Sequence, residues 1–182
     1  MDITVHGQSV ALLGKEKKVG AEAPAAKVYS TEGEQSVIGM IAPENQLLIA
    51  IPSLKTEICS LGAKKFNDLI SDFRKLKTIM ITTDDSEFVS DFINKEKIEN
   101  ASIMIDQDRH FAKKFGLLIS DGKLKDRLAR AVFLVDREGV INYREIVPEI
   151  VDEVDYDACI KAVESLVNMK QTGHTHENWM GV

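Results

Sequence analysis

Pro52-Ser53-Leu54-Lys55-Thr56-Glu57-Ile58-Cys59 joins two segments of different periodicity. Before it runs the unbroken apolar stretch Leu47-Leu48-Ile49-Ala50-Ile51. Such a stretch suits a strand covered on both faces, as in a parallel sheet. After it, Leu61, Phe66, Leu69, Ile70, Phe73 and Leu76 recur at three- and four-residue steps. That spacing predicts a helix about five turns long from Ile58 onward. Pro52 closes the strand, and Cys59 falls in the first helical turn. Unpaired backbone N–H groups and the positive end of the helix dipole meet there, and both favour a thiolate. The thiolate is the reactive form of cysteine.

The same reading extends outward. Ile3-Thr4-Val5 and Val10-Ala11-Leu12 flank His6-Gly7-Gln8-Ser9, the pattern of an N-terminal β-hairpin. Lys27-Val28-Tyr29 reads as a short strand, and Val37 to Ile41, interrupted by Gly39, as a turn or short helix. Thr78 to Thr82 predicts a second buried strand. Thr83-Asp84-Asp85-Ser86 then offers N-caps for a helix over 86–96. Ala101 to Ile105 is strand-like, and His110 to Phe115 is a short helix stopped by Gly116. Ala131 to Val135, Asp136 to Gly139 and Val140 to Tyr143 read as strand, turn and antiparallel strand. Asp155 to Met169 predicts a last helix, and residues 170–182 show no periodicity. Strands alternating with helices, closed by a hairpin and a helix, define an α/β sandwich on a mixed sheet. A cysteine at a strand-to-helix corner within that plan resembles a thioredoxin-like fold. One domain over residues 1–170 with a C-terminal tail over 171–182 is expected.

The formal net charge of −6 argues against general nucleic-acid binding and against docking on an anionic membrane. No apolar run approaches the length of a membrane span. Met1 to His6 lacks the basic and apolar regions of a secretory signal, so a cytoplasmic, reducing location is expected. Cys59 and Cys159 form neither a disulfide framework nor a zinc spacing. Cys159 lies on the apolar face of the last helix, where a core role explains it. In the tail, His174 and His176 with Trp179 lack a third ligand for a metal, so a partner-docking or mobile tail is the simpler expectation.

Thr56 stands three residues before Cys59 and is its neighbour on the same helical face. Its hydroxyl could donate to a thiolate or accept from a bound oxygen. Pro52-x-x-x-Thr56-x-x-Cys59 resembles the active-site signature of the peroxiredoxins. With Lys65-Phe66-Asn67, Asp121 to Lys125 and Ala129-Arg130-Ala131-Val132, the chain resembles the bacterial thiol peroxidase subfamily over residues 1 to about 168. The resemblance implies a peroxiredoxin-type thioredoxin fold, with Cys59 attacking the O–O bond of hydrogen peroxide or a small organic hydroperoxide to give a sulfenic acid. It implies that Thr56 and Arg130 align the peroxide, that Pro52 shields the thiolate, that no metal or organic cofactor is needed, and that the protein is a homodimer. Leu124 and Leu128, close to Arg130 in sequence, suggest a preference for alkyl peroxides.

Two departures matter. The subfamily's resolving cysteine would fall near Phe92-Ile93, where this chain has no cysteine. Thioredoxin or another external thiol, a second molecule, or Cys159 would then resolve the sulfenic acid. Lys55 stands where the subfamily commonly has aspartate, which makes the loop before Cys59 more positive. The missing cysteine also motivates an alternative: a redox sensor or thiol-dependent binding module on the same fold, without efficient turnover.

Overall fold

The computed structural model describes residues 1–180, with side chains described through Asn168. Its first strands, β1 (Asp2–Val5) and β2 (Gln8–Leu13), form the expected hairpin, paired Ile3 to Val10 and Val5 to Gln8. The turn residues His6 and Gly7 both take positive φ, 51° and 81°. Glycine adopts that conformation freely, and a two-residue turn of this kind matches the twist of the strands it joins. Two short strands follow, β3 (Ala25–Tyr29) and β4 (Gln35–Gly39). The second replaces the turn or short helix expected at Val37 to Ile41. Gly39 does not interrupt it: at φ +80°, a Cβ there would lie 2.2 Å from the Pro24 carbonyl oxygen. The Gln46 side chain also clasps both the N–H and the carbonyl of Gly39.

The centre is β5 (Asn45–Ile51), α1 (Glu57–Leu69), β6 (Leu76–Thr82), α2 (Ser86–Glu96) and β7 (Ser102–Ile105). These are followed by α3 (His110–Phe115), β8 (Leu118–Ile119), β9 (Ala131–Val135), β10 (Ile141–Ile146) and α4 (Tyr156–Met180). The main sheet runs β10-β9-β5-β6-β7-β3-β4, with β5, β6 and β7 parallel and the other pairs antiparallel. A small second sheet, β1-β2-β8, carries the hairpin.

Two-sided burial explains the continuous apolar runs. Along β5, Leu48 and Ala50 enter one core cluster, while Leu47, Ile49 and Ile51 enter the other. Along β9, Ala131, Phe133 and Val135 alternate in the same way with Val132 and Leu134. The first cluster lies under α3 and the hairpin, with Phe111, Phe115, Ile3 and Leu12. The second lies under α1, α2 and α4, with Cys59, Phe66, Phe92 and Val163.

Helix limits differ from expectation at two places. α1 ends at Leu69 rather than near Leu76, and the chain turns through Ile70 to Phe73 before β6 begins at Leu76. Phe73 is partly buried beneath the helix end and Leu76 starts the next strand, so both continue the helical spacing without being helical. α4 runs to Met180, past the point where amphipathic spacing stops. Extending a helix costs far less than starting one, so loss of the apolar pattern does not end it. The side chains of His174, His176 and Trp179, named above as a weak metal signal, lie outside the described residues. Among the described residues, no helix is long and apolar enough to cross a membrane.

Candidate active site

Thr56 has extended backbone angles at the N-cap of α1, which places Cys59 in the first turn, as the sequence predicts. Cys59 is buried. Arg130, just before β9, the strand beside β5, reaches it on the same face of the sheet: Nη1 donates to Cys59 Sγ at 3.4 Å. The other edge of the guanidinium is held by one carbonyl, with Nε and Nη2 donating to Ile150 O at 3.2 and 2.8 Å. Arg130 is itself buried, and among the described residues it has no carboxylate partner within salt-bridge distance.

Beside the sulfur is a cavity of about 20 Å³, lined by Cys59, Gly62, Phe66, Arg130, Val154 and Tyr156 among others. That is room for one water-sized molecule. Gly62 makes the cavity's shape possible, because a Cβ at this position would stand 3.0 Å from the Tyr156 hydroxyl oxygen. The Tyr156 ring packs on Phe66, with centroids 5.0 Å apart, and Lys65 Nζ lies 4.2 Å from the centre of its ring. Burial, with Glu153 nearby, pushes the Tyr156 phenol above its usual pKa.

Thr56 takes a different position from the one its spacing suggests. Its hydroxyl donates to the Ser53 carbonyl at 3.0 Å rather than to the sulfur. It lines a surface groove between α1 and α2, together with Leu54, Phe88 and Phe92. Pro52 is buried at the corner between β5 and the loop. Lys55 turns toward α2: its Nζ is 3.6 Å from Asp85 Oδ2 and 5.2 Å from the centre of the Phe88 ring. Its charge is therefore spent on an exposed carboxylate, not directed at Cys59. Leu128 is buried in the cluster on the opposite face of the sheet, and Leu124 packs against that same cluster. Neither lines the Cys59 cavity.

Asp84 is the site residue that sequence reasoning missed. The run Thr83 to Ser86 was expected to supply caps, and Asp85 does so, accepting from the Phe88 N–H at 2.8 Å. The Asp84 carboxylate instead turns inward beneath the loop before Cys59. One oxygen accepts from Leu54 N–H at 2.7 Å and Thr82 Oγ1 at 2.8 Å. The other accepts from Ser53 Oγ at 2.8 Å and Arg127 Nη1 at 3.2 Å. Asp84 thus ties the Cys59 loop to the end of β6 and to the segment that leads into Arg130. Two adjacent aspartates look alike in sequence, and only their burial separates a cap from a clamp.

Cys159 is fully buried on α4, and burial, with Glu145 and Asp155 nearby, pushes its thiol up to about 12. Ile93 on α2 is partly buried against the same core.

A mixed sheet with a buried cysteine at the head of its central helix, faced by a buried arginine, defines a thioredoxin-like redox protein. Comparison with known proteins agrees. The Redoxin family model matches residues 18–160. A thiol peroxidase of Aquifex aeolicus is 33% identical over 91% of this chain and 98% of its own length. The crystal structure of a peroxiredoxin-like protein from Aquifex aeolicus superposes with a TM-score of 0.88 at 33% identity, covering 91% of this chain and 96% of that one. A thiol peroxidase from Chromobacterium violaceum shares the fold at a TM-score of 0.82 and 18% identity, over 91% of this chain and 96% of that one. The chain belongs to the Redoxin family and, within it, to the bacterial thiol peroxidases, thiol-dependent peroxidases of the peroxiredoxin type.

Proposed function

We propose that Cys59 is the peroxidatic nucleophile and that Arg130 is its electrostatic partner. The observation that carries this reading is a buried guanidinium whose described partners are one carbonyl and one sulfur. A buried cation without a counter-charge is costly. A Cys59 thiolate supplies that charge, and Arg130 in turn stabilises negative charge at the reacting atoms.

In the reaction, the Cys59 thiolate attacks the terminal oxygen of a hydroperoxide. An S–O bond forms as the O–O bond breaks, and the departing alkoxide or hydroxide takes up a proton. Cys59 is left as a sulfenic acid. Alignment of the peroxide by Thr56 rests on the resemblance of the motif alone, since its hydroxyl donates to Ser53 and it lines the groove between α1 and α2, not the Cys59 cavity. Pro52 lacks a backbone donor and fixes the corner that shelters the sulfur. The cavity beside the sulfur is of a size to support hydrogen peroxide as a substrate, and small organic hydroperoxides rest on the likeness to the thiol peroxidases. The positions of Leu124 and Leu128 remove their support for a special alkyl preference.

The second half of the cycle falls to an external thiol, thioredoxin or a small thiol. One thiol condenses with the sulfenic acid, releasing water and forming a mixed disulfide, and a second thiol reduces that disulfide. The inert environment of Cys159 supports this over an internal disulfide. We further propose a cytoplasmic homodimer, with a catalytic domain over residues 1–170 and an extension over 171–182.

Steady-state peroxide consumption with thioredoxin or dithiothreitol, together with mass spectrometry of Cys59, tests the reading. Many turnovers per chain, abolished in Cys59→Ser, are expected. Consumption limited to one equivalent per Cys59 would replace it with the redox-sensor reading.

A further inference from the structure

Arg130 can act on Cys59 only if its guanidinium is held in one orientation. The Ile150 carbonyl holds two of its nitrogens, at 3.2 and 2.8 Å, and thereby turns the third toward Cys59. Ile150 lies in the loop between β10 and α4. Such a segment needs an external anchor to present one carbonyl in a fixed direction.

That anchor is the N-terminal hairpin, nearly 150 residues away in sequence. The Ile150 N–H donates to the Thr4 carbonyl at 2.9 Å, and the Thr4 N–H donates to the Pro148 carbonyl at 2.7 Å. Between these two bonds sits Glu149, bridged to Thr4 in parallel register. Its carboxylate reaches into the hairpin turn. There it accepts from Gly7 N–H at 2.7 Å, His6 N–H at 3.2 Å and Thr4 Oγ1 at 3.0 Å. It also accepts from Val151 N–H at 3.2 Å, on the far side of Ile150. The left-handed conformations of His6 and Gly7 form a turn whose successive N–H groups both point at this carboxylate. The Gly7 N–H above all, with the other donors, holds Glu149 below its ordinary pKa. Turn, carboxylate, loop carbonyl and guanidinium are thus linked without a gap from residue 7 to the sulfur.

We propose that the N-terminal hairpin is a positioning element of the active site, with Glu149 as the positioning residue that locks the Ile150 carbonyl, and through it Arg130, onto Cys59. The proposal rests on the reading of Arg130 given above. It assigns the hairpin a part in peroxide reduction although no hairpin residue lines the Cys59 cavity. Misplacement of a catalytic group by about 1 Å can cost on the order of 100-fold in rate. A loosened Arg130, still tethered by its own backbone, should cost about tenfold.

The test is a double-mutant cycle on the full chain, pre-reduced, with hydrogen peroxide as the probe. The second-order rate of Cys59 oxidation is read by rapid alkylation of the remaining thiol and mass spectrometry. Four proteins are compared: the parent, Glu149→Ala, Arg130→Ala and the double variant. Glu149→Ala should be about tenfold slower and Arg130→Ala about 100-fold slower, with the double variant no slower than Arg130→Ala. Glu149→Gln keeps one acceptor oxygen and should recover part of the rate; it also serves if Glu149→Ala fails to fold. Multiplicative slowing in the double variant overturns the proposal, because Glu149 would then act independently of Arg130. A slow Arg130→Ala beside Glu149 variants that fold and react at the parental rate also overturns it, leaving the role of Arg130 intact. An Arg130→Ala variant at the parental rate strikes the role of Arg130 itself, and the hairpin proposal falls with it.

Discussion

Asp84→Asn changes one atom and should disturb the whole loop before Cys59. In the native chain each carboxylate oxygen serves two donors: Leu54 N–H and the Thr82 hydroxyl on one side, the Ser53 hydroxyl and Arg127 on the other. The hydroxyls can reverse and donate elsewhere, but a backbone N–H and a guanidinium cannot. An asparagine must therefore choose. With its oxygen toward Leu54, its NH₂ opposes Arg127; turned around, its NH₂ opposes Leu54 N–H. One fixed donor is lost in either pose. A hydrogen bond involving a charged group contributes about 1.5–3 kcal/mol, and a stranded buried donor costs about 1–3 kcal/mol. Arg127 is one-third exposed, so water replaces part of its loss. The variant should lose about 2 kcal/mol, and Asp84→Ala, which strands every donor, about 3–5 kcal/mol. For a domain of this size each kcal/mol corresponds to about 2–4 °C in Tm. Urea denaturation of the reduced protein measures the loss, and the rate of Cys59 oxidation by peroxide shows whether the loop carries it to the site. If Asp84→Ala loses less than about 1 kcal/mol and oxidises at the parental rate, the clamp reasoning is wrong.

Two further predictions follow from local electrostatics. Cys159 should resist thiol reagents in the native protein and react only after unfolding, and Cys159→Ala should keep its peroxide turnover. Because burial raises the folded thiol from 9.0 to about 12, the folded state favours the protonated form. Its contribution to stability is complete below pH 9.0 and is lost as pH rises toward about 12, so denaturation midpoints should fall over that window less steeply in Cys159→Ala. Lys55→Asp should change the rate of Cys59 oxidation by no more than about fivefold, since the exposed pair with Asp85 is of the kind that contributes about 0–1 kcal/mol. A tenfold loss measured by stopped-flow mixing would show that the Lys55 charge does reach the sulfur.

Much of this protein is written locally. The runs Leu47 to Ile51 and Ala131 to Val135 announce strands buried on both faces, and the structure divides each between two cores. Cys59 could be placed at a helix start because Pro52 and the change of period mark the corner. Edge strand β4 was not legible, because its one buried apolar side chain, Ile38, follows three exposed residues. The end of α1 was hidden because Phe73 and Leu76 keep helical spacing while lying in a turn and a strand.

What sequence alone determined is the inventory: a cysteine at a strand-to-helix junction, a threonine three residues earlier, an arginine ahead of a late strand and no second cysteine near Ile93. These follow from periodicity and residue chemistry, which act over a few neighbouring positions. What only the tertiary structure decided is direction. It turned the Thr56 hydroxyl onto Ser53, sent the Lys55 charge to Asp85, sorted Asp84 from Asp85, and aimed Arg130 at Cys59 through the Ile150 carbonyl. The hairpin's grip on Glu149 spans the chain from end to end. Hydrogen bonds between groups so far apart depend on where the sheet places them, and no local pattern records that placement.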